Sequence, residues 1–81
     1  MALISYELIN KYIEVNPKKL GGKPVIKGTR IPVSLILELL AAGMTIDEIK
    51  KEYPGLTDEA IRAAIFYAKM LLEGEEILVM T

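Results

Sequence analysis

The sequence predicts a mainly α, dimeric protein: a helix-turn-helix module with a three-helix core and a short N-terminal β-ribbon. Three observations carry that expectation. A basic, turn-rich stretch from Gly22 to Val33 (GKPVIKGTRIPV) runs into a strongly apolar helical pattern. Two further helical patterns follow, separated only by Tyr53-Pro54-Gly55-Leu56; helix, tight turn, helix is the outline of that motif. Finally, 52% of the 81 residues are hydrophobic and 26% charged. A chain this short buries only about 60–65% of its unfolded surface, so a partner chain is expected to cover the excess.

All 81 residues fit one domain, divided into an extended basic arm (12–32), a helical core (33–73) and a tail (74–81). Residues 5–13 read as a short helix, with Ser5 as cap and Leu8, Ile9, Tyr12 and Ile13 at helical spacing. Tyr12-Ile13-Glu14-Val15 reads equally well as a strand, and both hold if the helix gives way near Lys11. Gly21-Gly22 makes a turn, and Pro24-Val25-Ile26 is a second extended piece. Neither Pro24 nor Pro32 can donate a ladder hydrogen bond, so the ribbon lies at an edge there. A lone two-stranded ribbon is marginal in water; it must pack on the helices or on another chain.

The first core helix begins after Pro32, whose fixed φ suits a first turn. Val33, Leu35, Ile36, Leu37, Leu39 and Leu40 surround one Glu38, which predicts burial on more than one side. Gly43 ends the helix as a left-handed residue. The second carries a capping box, Thr45 with Glu48, a buried stripe of Ile46, Ile49 and Tyr53, and a stop at Pro54-Gly55. The third starts at the cap Thr57, has Asp58 and Glu59 in its first turn, and ends near Gly74. Its expected buried face is Ile61, Ala64, Ile65, Ala68, Leu71 and Leu72, widened by Ala60, Phe66, Tyr67 and Met70. The tail Glu75–Thr81 reads as a strand pairing within the dimer or onto a partner. Tyr6, Tyr12, Tyr53 and Tyr67 are expected in the core with a hydroxyl at the rim.

The chain has neither cysteine nor histidine, which excludes disulfides, thiolate metal sites and imidazole chemistry. No catalytic constellation is visible, so the expectation is a non-enzyme without cofactor or metal. Met1-Ala2-Leu3-Ile4-Ser5 leads into Tyr6 and Glu7, not a long apolar run, and no stretch reaches the ~20 apolar residues of a membrane span. A cytoplasmic protein is expected. Its formal charge is −1, so any attraction to nucleic acid must come from uneven distribution.

The ordered string from Gly22 to Val33, followed by Ala42-Gly43, Ile49 to Tyr53-Pro54, Leu56-Thr57 and Ala64 to Tyr67-Ala68, resembles a small prokaryotic family. This is domain of unknown function 433, itself likened to VapB-type antitoxins; the likeness covers roughly residues 12–70. It implies a homeodomain-like helix-turn-helix, a homodimer, and the DNA-binding antitoxin half of a toxin–antitoxin pair. The toxin would be a small PIN-like ribonuclease.

The candidate DNA-binding residues are Lys18, Lys19, Lys23, Lys27, Thr29 and Arg30. The arm holds five of the ten Lys and Arg residues, with no acid between Glu14 and Glu38. The cations can contact phosphates, Arg30 can reach a base edge, Gly28 permits close approach, and Thr29 can bond a phosphate. The competing reading is a solvated hairpin with Gly28 at positive φ, Thr29 and Arg30 locking the turn, and Arg30 paired with Glu38 or with carboxylates of the third helix. A phosphate loop is rejected: five residues separate Gly22 from Gly28, and the Walker lysine is missing. The third helix offers Asp58, Glu59 and Glu73 against Arg62 and Lys69, a poor set for reading bases, and Asp58 is expected to pair with Arg62 at i,i+4. That composition suits the second expectation, a protein-interaction module that binds a ribonuclease-like partner without DNA.

Overall fold

A computed structural model describes residues 2–80, with side chains over 6–74. Four helices and a two-stranded antiparallel sheet follow in the order α1 (Ala2–Tyr12), β1 (Ile13–Val15), β2 (Pro24–Ile26), α2 (Val33–Ala41), α3 (Ile46–Glu52) and α4 (Asp58–Met80). Among the described residues no helix is long and apolar enough to cross a membrane.

The two readings of the N-terminal segment are both realised: α1 ends at Tyr12 and β1 begins at Ile13. The ribbon pairs Ile13 with Ile26 and Val15 with Pro24. Between the strands the chain turns through Leu20, Gly21 and Gly22, all at positive φ, a conformation natural for glycine and costly for leucine. Of the two placements expected for the ribbon, packing on the helices is the one seen: Ile13, Val25 and Ile26 are buried, and the strands pack on α2 and α4. The ribbon's inward-facing side chains supply the apolar burial that a bare ribbon lacks.

The core helices obey their local signals. Gly43 sits at φ 98°, its N–H bonds the Leu40 carbonyl, and the Met44 N–H bonds that of Leu39. This is the paired closure that satisfies the last carbonyls of a helix. Thr45 and Glu48 form the reciprocal box, at 3.1 Å from the Glu48 N–H to the hydroxyl and 2.8 Å from the Thr45 N–H to the carboxylate. At the next start, the Thr57 hydroxyl accepts from the Ala60 N–H at 3.1 Å.

The core gathers Ile9, Ile13, Ile26, Val33, Ile36, Ile49, Leu56 and the α4 residues Ala60, Ile61, Ala63 and Ala64. Four of the first seven residues of α4 are thus buried, on more than one side of the helix. α4 is the central post of the fold, packed by α1, α2, α3 and β1.

Several expectations change. The third core helix does not stop at Gly74 but continues to Met80, so the tail is helical backbone and not a strand; Thr81 lies outside the described residues. A mid-helix glycine costs only about 1 kcal/mol, too little to end a helix whose neighbours favour it. The buried face of α4 is also narrower and rotated. Ala63 joins it, while Ile65 (42%), Leu71 (40%) and Leu72 (71%) are exposed. α2 buries only Val33 and Ile36, leaving Leu35, Leu37, Leu39 and Leu40 half-exposed. Tyr6 is 54% exposed rather than in the core, and Tyr12, Tyr53 and Tyr67 are half-buried.

Candidate functional site: a basic ribbon and an apolar groove

The loop after β2 is built from the inside. Ile26 accepts a hydrogen bond from the Thr29 N–H at 2.9 Å, closing a four-residue turn with Gly28 third, at φ 80°. Positive φ at that position alone marks a type II turn. The Thr29 hydroxyl donates to the Ile26 carbonyl at 2.7 Å and accepts from the Ile31 N–H at 3.0 Å. The Ile26 N–H bonds the Ile31 carbonyl at 2.9 Å, and Val25 bridges to Pro32, which delivers the chain to α2.

The six candidate DNA-binding residues divide accordingly. Thr29 is absorbed into the turn by both of its hydroxyl bonds. The Lys27 ammonium donates to the Asn10 carbonyl at 2.7 Å, one of the last carbonyls of α1, where a cation is favourable. Lys19 pairs with Glu14 at 3.0 Å, and the hydrogen bond from Lys19 holds the Glu14 carboxyl below its ordinary pKa. Lys18, Lys23 and Arg30 are exposed and, among the described residues, form none of the ion pairs. Arg30 pairs neither with Glu38 nor with the described carboxylates of α4. Among the described residues, three of the five arm cations thus have neither an ion-pair partner nor a hydrogen bond from the side chain.

At the other end, Asp58 pairs with Lys50 of α3 at 2.5 Å rather than with Arg62. The Lys50 hydrogen bond lowers the Asp58 pKa, and the same bond raises that of Lys50. Packing of α3 on α4 brings Lys50 within reach, which sequence spacing along one helix does not reveal. Glu48 is also held low, by the Thr45 backbone N–H.

A feature that motif reasoning did not locate lies between α2 and α4. An open groove of about 380 Å³ has Val33, Ser34 and Leu37 on one wall and Tyr67, Ala68 and Leu71 on the other, with Lys23 and Pro24 completing the rim. Val33/Leu37 and Tyr67/Leu71 are i,i+4 pairs, so each wall is one helical ridge. The signal in the sequence was the run of leucines around Glu38 and the broad apolar face of α4; only the fold shows that part of each reaches solvent.

The profile described as "Protein of unknown function (DUF433)" matches residues 13–68. An uncharacterized protein, y4eO, of Sinorhizobium fredii (strain NBRC 101917 / NGR234) is 41% identical over 54 residues, 67% of this chain. The chain spans only 24% of that relative's length. The crystal structure of a DUF433 member protein from Anabaena variabilis ATCC 29413 superposes with a TM-score of 0.74 at 30% identity, covering 99% of this chain and 79% of that one. The chain belongs to the DUF433 family, and the resemblance read from the Gly22–Val33 string is confirmed at that level.

Proposed function

We propose that this DUF433 chain is a homodimeric protein-interaction module of the antitoxin type, which engages protein through the apolar face shared by α2 and α4. One observation carries the reading: Leu37, Tyr67 and Leu71 line an open groove beside the exposed Ile65 and Leu72. Side chains of this kind are retained at a surface when a protein partner covers them. In the antitoxin reading suggested by the family resemblance, the cellular target is a PIN-like ribonuclease. In the homeodomain-like helix-turn-helix that the family resemblance suggests, α4 takes the reading position, and it is a poor reader. Its N-terminal half is buried at Ala60, Ile61, Ala63 and Ala64, and its first turn is acidic.

A second reading, a DNA-binding regulator, is favoured by Lys18, Lys23 and Arg30, which are exposed and have no ion-pair partner among the described residues. Phosphate contact by three cations gives weak, strongly salt-dependent affinity. Two experiments separate the readings. Co-expression with the product of the adjacent gene should yield a stable complex that persists at 0.5 M salt, as apolar contact requires. A gel shift with the DNA upstream of the chain's own gene should show at most weak binding that salt abolishes. A tight, sequence-selective shift lost in Arg30→Ala, with no protein complex, would reverse the order.

A further inference from the structure

We propose that the groove between α2 and α4 is a binding site for a small amphipathic carboxylate, a medium-chain aliphatic acid. Its head sits at Lys23 and its tail runs along Val33, Leu37, Ala68 and Leu71. This goes beyond the interaction reading above, and Ile65 and Leu72, outside the lining, stay open to a protein partner.

Size is the first argument. A hollow of about 380 Å³ falls at the lower end of the range that small-ligand sites occupy, about 300–1,000 Å³. That suits one short aliphatic chain and is too small for a two-chain lipid. Val33 is buried and is the least exposed of the lining residues, so the groove has a floor as well as walls. Ala68 carries only a methyl group, and a larger side chain at that place would take up the space between the ridges.

Charge is the second. Lys23 is the one charged residue of the described lining, and no carboxylate stands beside it there. It is exposed and forms no ion pair among the described residues. Its backbone is anchored on both sides. The Lys23 N–H bonds the Leu20 carbonyl at 3.3 Å, and Pro24, next along, pairs with Val15 in the ribbon. An anchored cation thus stands beside an apolar trough, where a ligand's charge can meet it while the tail leaves water.

Hydrogen-bonding capacity is the third. The other polar side chains of the lining are Ser34 and Tyr67, and both hydroxyls can donate. With the Lys23 ammonium they make three donors. Among the described residues, none of the three takes part in a side-chain hydrogen bond. An ionised carboxylate only accepts, and it takes several such bonds at once. A cationic ligand would meet the like charge of Lys23.

The test is a titration of sodium decanoate, below its micelle concentration, into the full chain carrying 13C-labelled methyl groups, followed by NMR. The signals of Val33, Leu37, Ala68 and Leu71 should shift together and saturate. Each added methylene in the acid should tighten binding by up to about fourfold, as burial of that group allows. Decyltrimethylammonium, with the same tail and the opposite charge, should bind about tenfold more weakly. Lys23→Glu, at an exposed position, should reverse that preference. Lys51→Glu, exposed on α3, which contributes nothing to the lining, should leave it unchanged. Ala68→Leu should abolish the shifts; should it also disturb the fold, Lys23→Glu decides. Absence of saturable shifts, equal binding of the two amphiphiles, or a preference that survives Lys23→Glu overturns the inference, as do shifts centred on Ile65 and Leu72. A salt-resistant complex with the product of the adjacent gene, without decanoate binding, removes the ligand and keeps the interaction reading. Decanoate binding without any protein complex does the reverse.

Discussion

Replacing Thr29 by valine removes one hydroxyl and keeps the side-chain shape. That hydroxyl donates to the Ile26 carbonyl at 2.7 Å and accepts from the Ile31 N–H at 3.0 Å, in a partly buried loop. A typical hydrogen bond contributes about 0.5–1.5 kcal/mol, and a donor left without its acceptor adds to the loss. The Ile26 carbonyl keeps the Thr29 N–H as partner, so the exposed cost falls chiefly on Ile31. Thr29→Val should therefore destabilise the chain by about 1–3 kcal/mol. That is a large share of the roughly 4–12 kcal/mol expected for 81 residues. Each kcal/mol should lower Tm by about 4–8 °C. Thr29→Ser restores both bonds and should lie within ~0.5 kcal/mol of wild type. Urea unfolding followed by circular dichroism, at one fixed protein concentration because association shifts apparent stability, measures all three. If valine is as stable as threonine, or serine as damaging as valine, the hydroxyl does not hold the turn. Its place would then be at a ligand, as the DNA-contact reading expected.

Other outcomes follow from the same structure. Ile49→Ala and Ile61→Ala empty fully buried sites and should each cost about 2–5 kcal/mol in denaturant unfolding. Gly28→Ala places a methyl in open space but at φ 80°, and should cost about 1–2 kcal/mol from backbone conformation alone. Arg30→Ala should leave Tm within about 2 °C of wild type, since Arg30 is exposed and makes no ion pair among the described residues. Acid titration should be asymmetric. Glu14, Glu48 and Asp58 all have lowered pKa values in the folded chain. Their contribution is complete above the ordinary carboxylate range, about pH 4, and disappears as pH falls through the lowered values. Lys50 is raised, so its contribution is complete below the ordinary lysine range and is lost as pH rises through the raised value. Thermal melts should be flat between these limits, and Asp58→Asn should flatten part of both slopes.

The readable parts of this fold were the ones decided within a few residues. Thr45 and Glu48, three apart, determine each other's bonds regardless of the rest of the chain. Gly43 likewise closes α2 with its own carbonyls, and Ile13–Val15 and Pro24–Ile26 pair because a glycine turn joins two short apolar runs. What failed was decided by the packing of elements on one another. Arg62, four residues along, was the expected partner of Asp58, and the docking of α3 brought Lys50 to it instead. Periodicity alone offered Ile65 and Leu72 as core, but the positions of α1, α2 and α3 around α4 favoured Ala63, whose small side chain gives little hydrophobic signal. At Gly74 a local stop signal lost to the continuing helix. In the candidate site, clustering of cations on the ribbon was legible, and so was Thr29 as a lock of the turn; the capture of Lys19 by Glu14 and of Lys27 by the Asn10 carbonyl was not, since it depends on how the ribbon closes and folds back onto α1.

The most direct test of the interaction face is solvent paramagnetic relaxation of methyl signals in the unmodified protein, with a soluble gadolinium chelate as probe. Leu72, at 71% exposure in one copy, together with Ile65 and Leu71, should be shielded nearly as well as Ile36 and Ile61, and should become broadened by the probe in Ser34→Arg. Strong broadening of those three methyls in the wild type would mean that the face stays wet and that no second copy covers it.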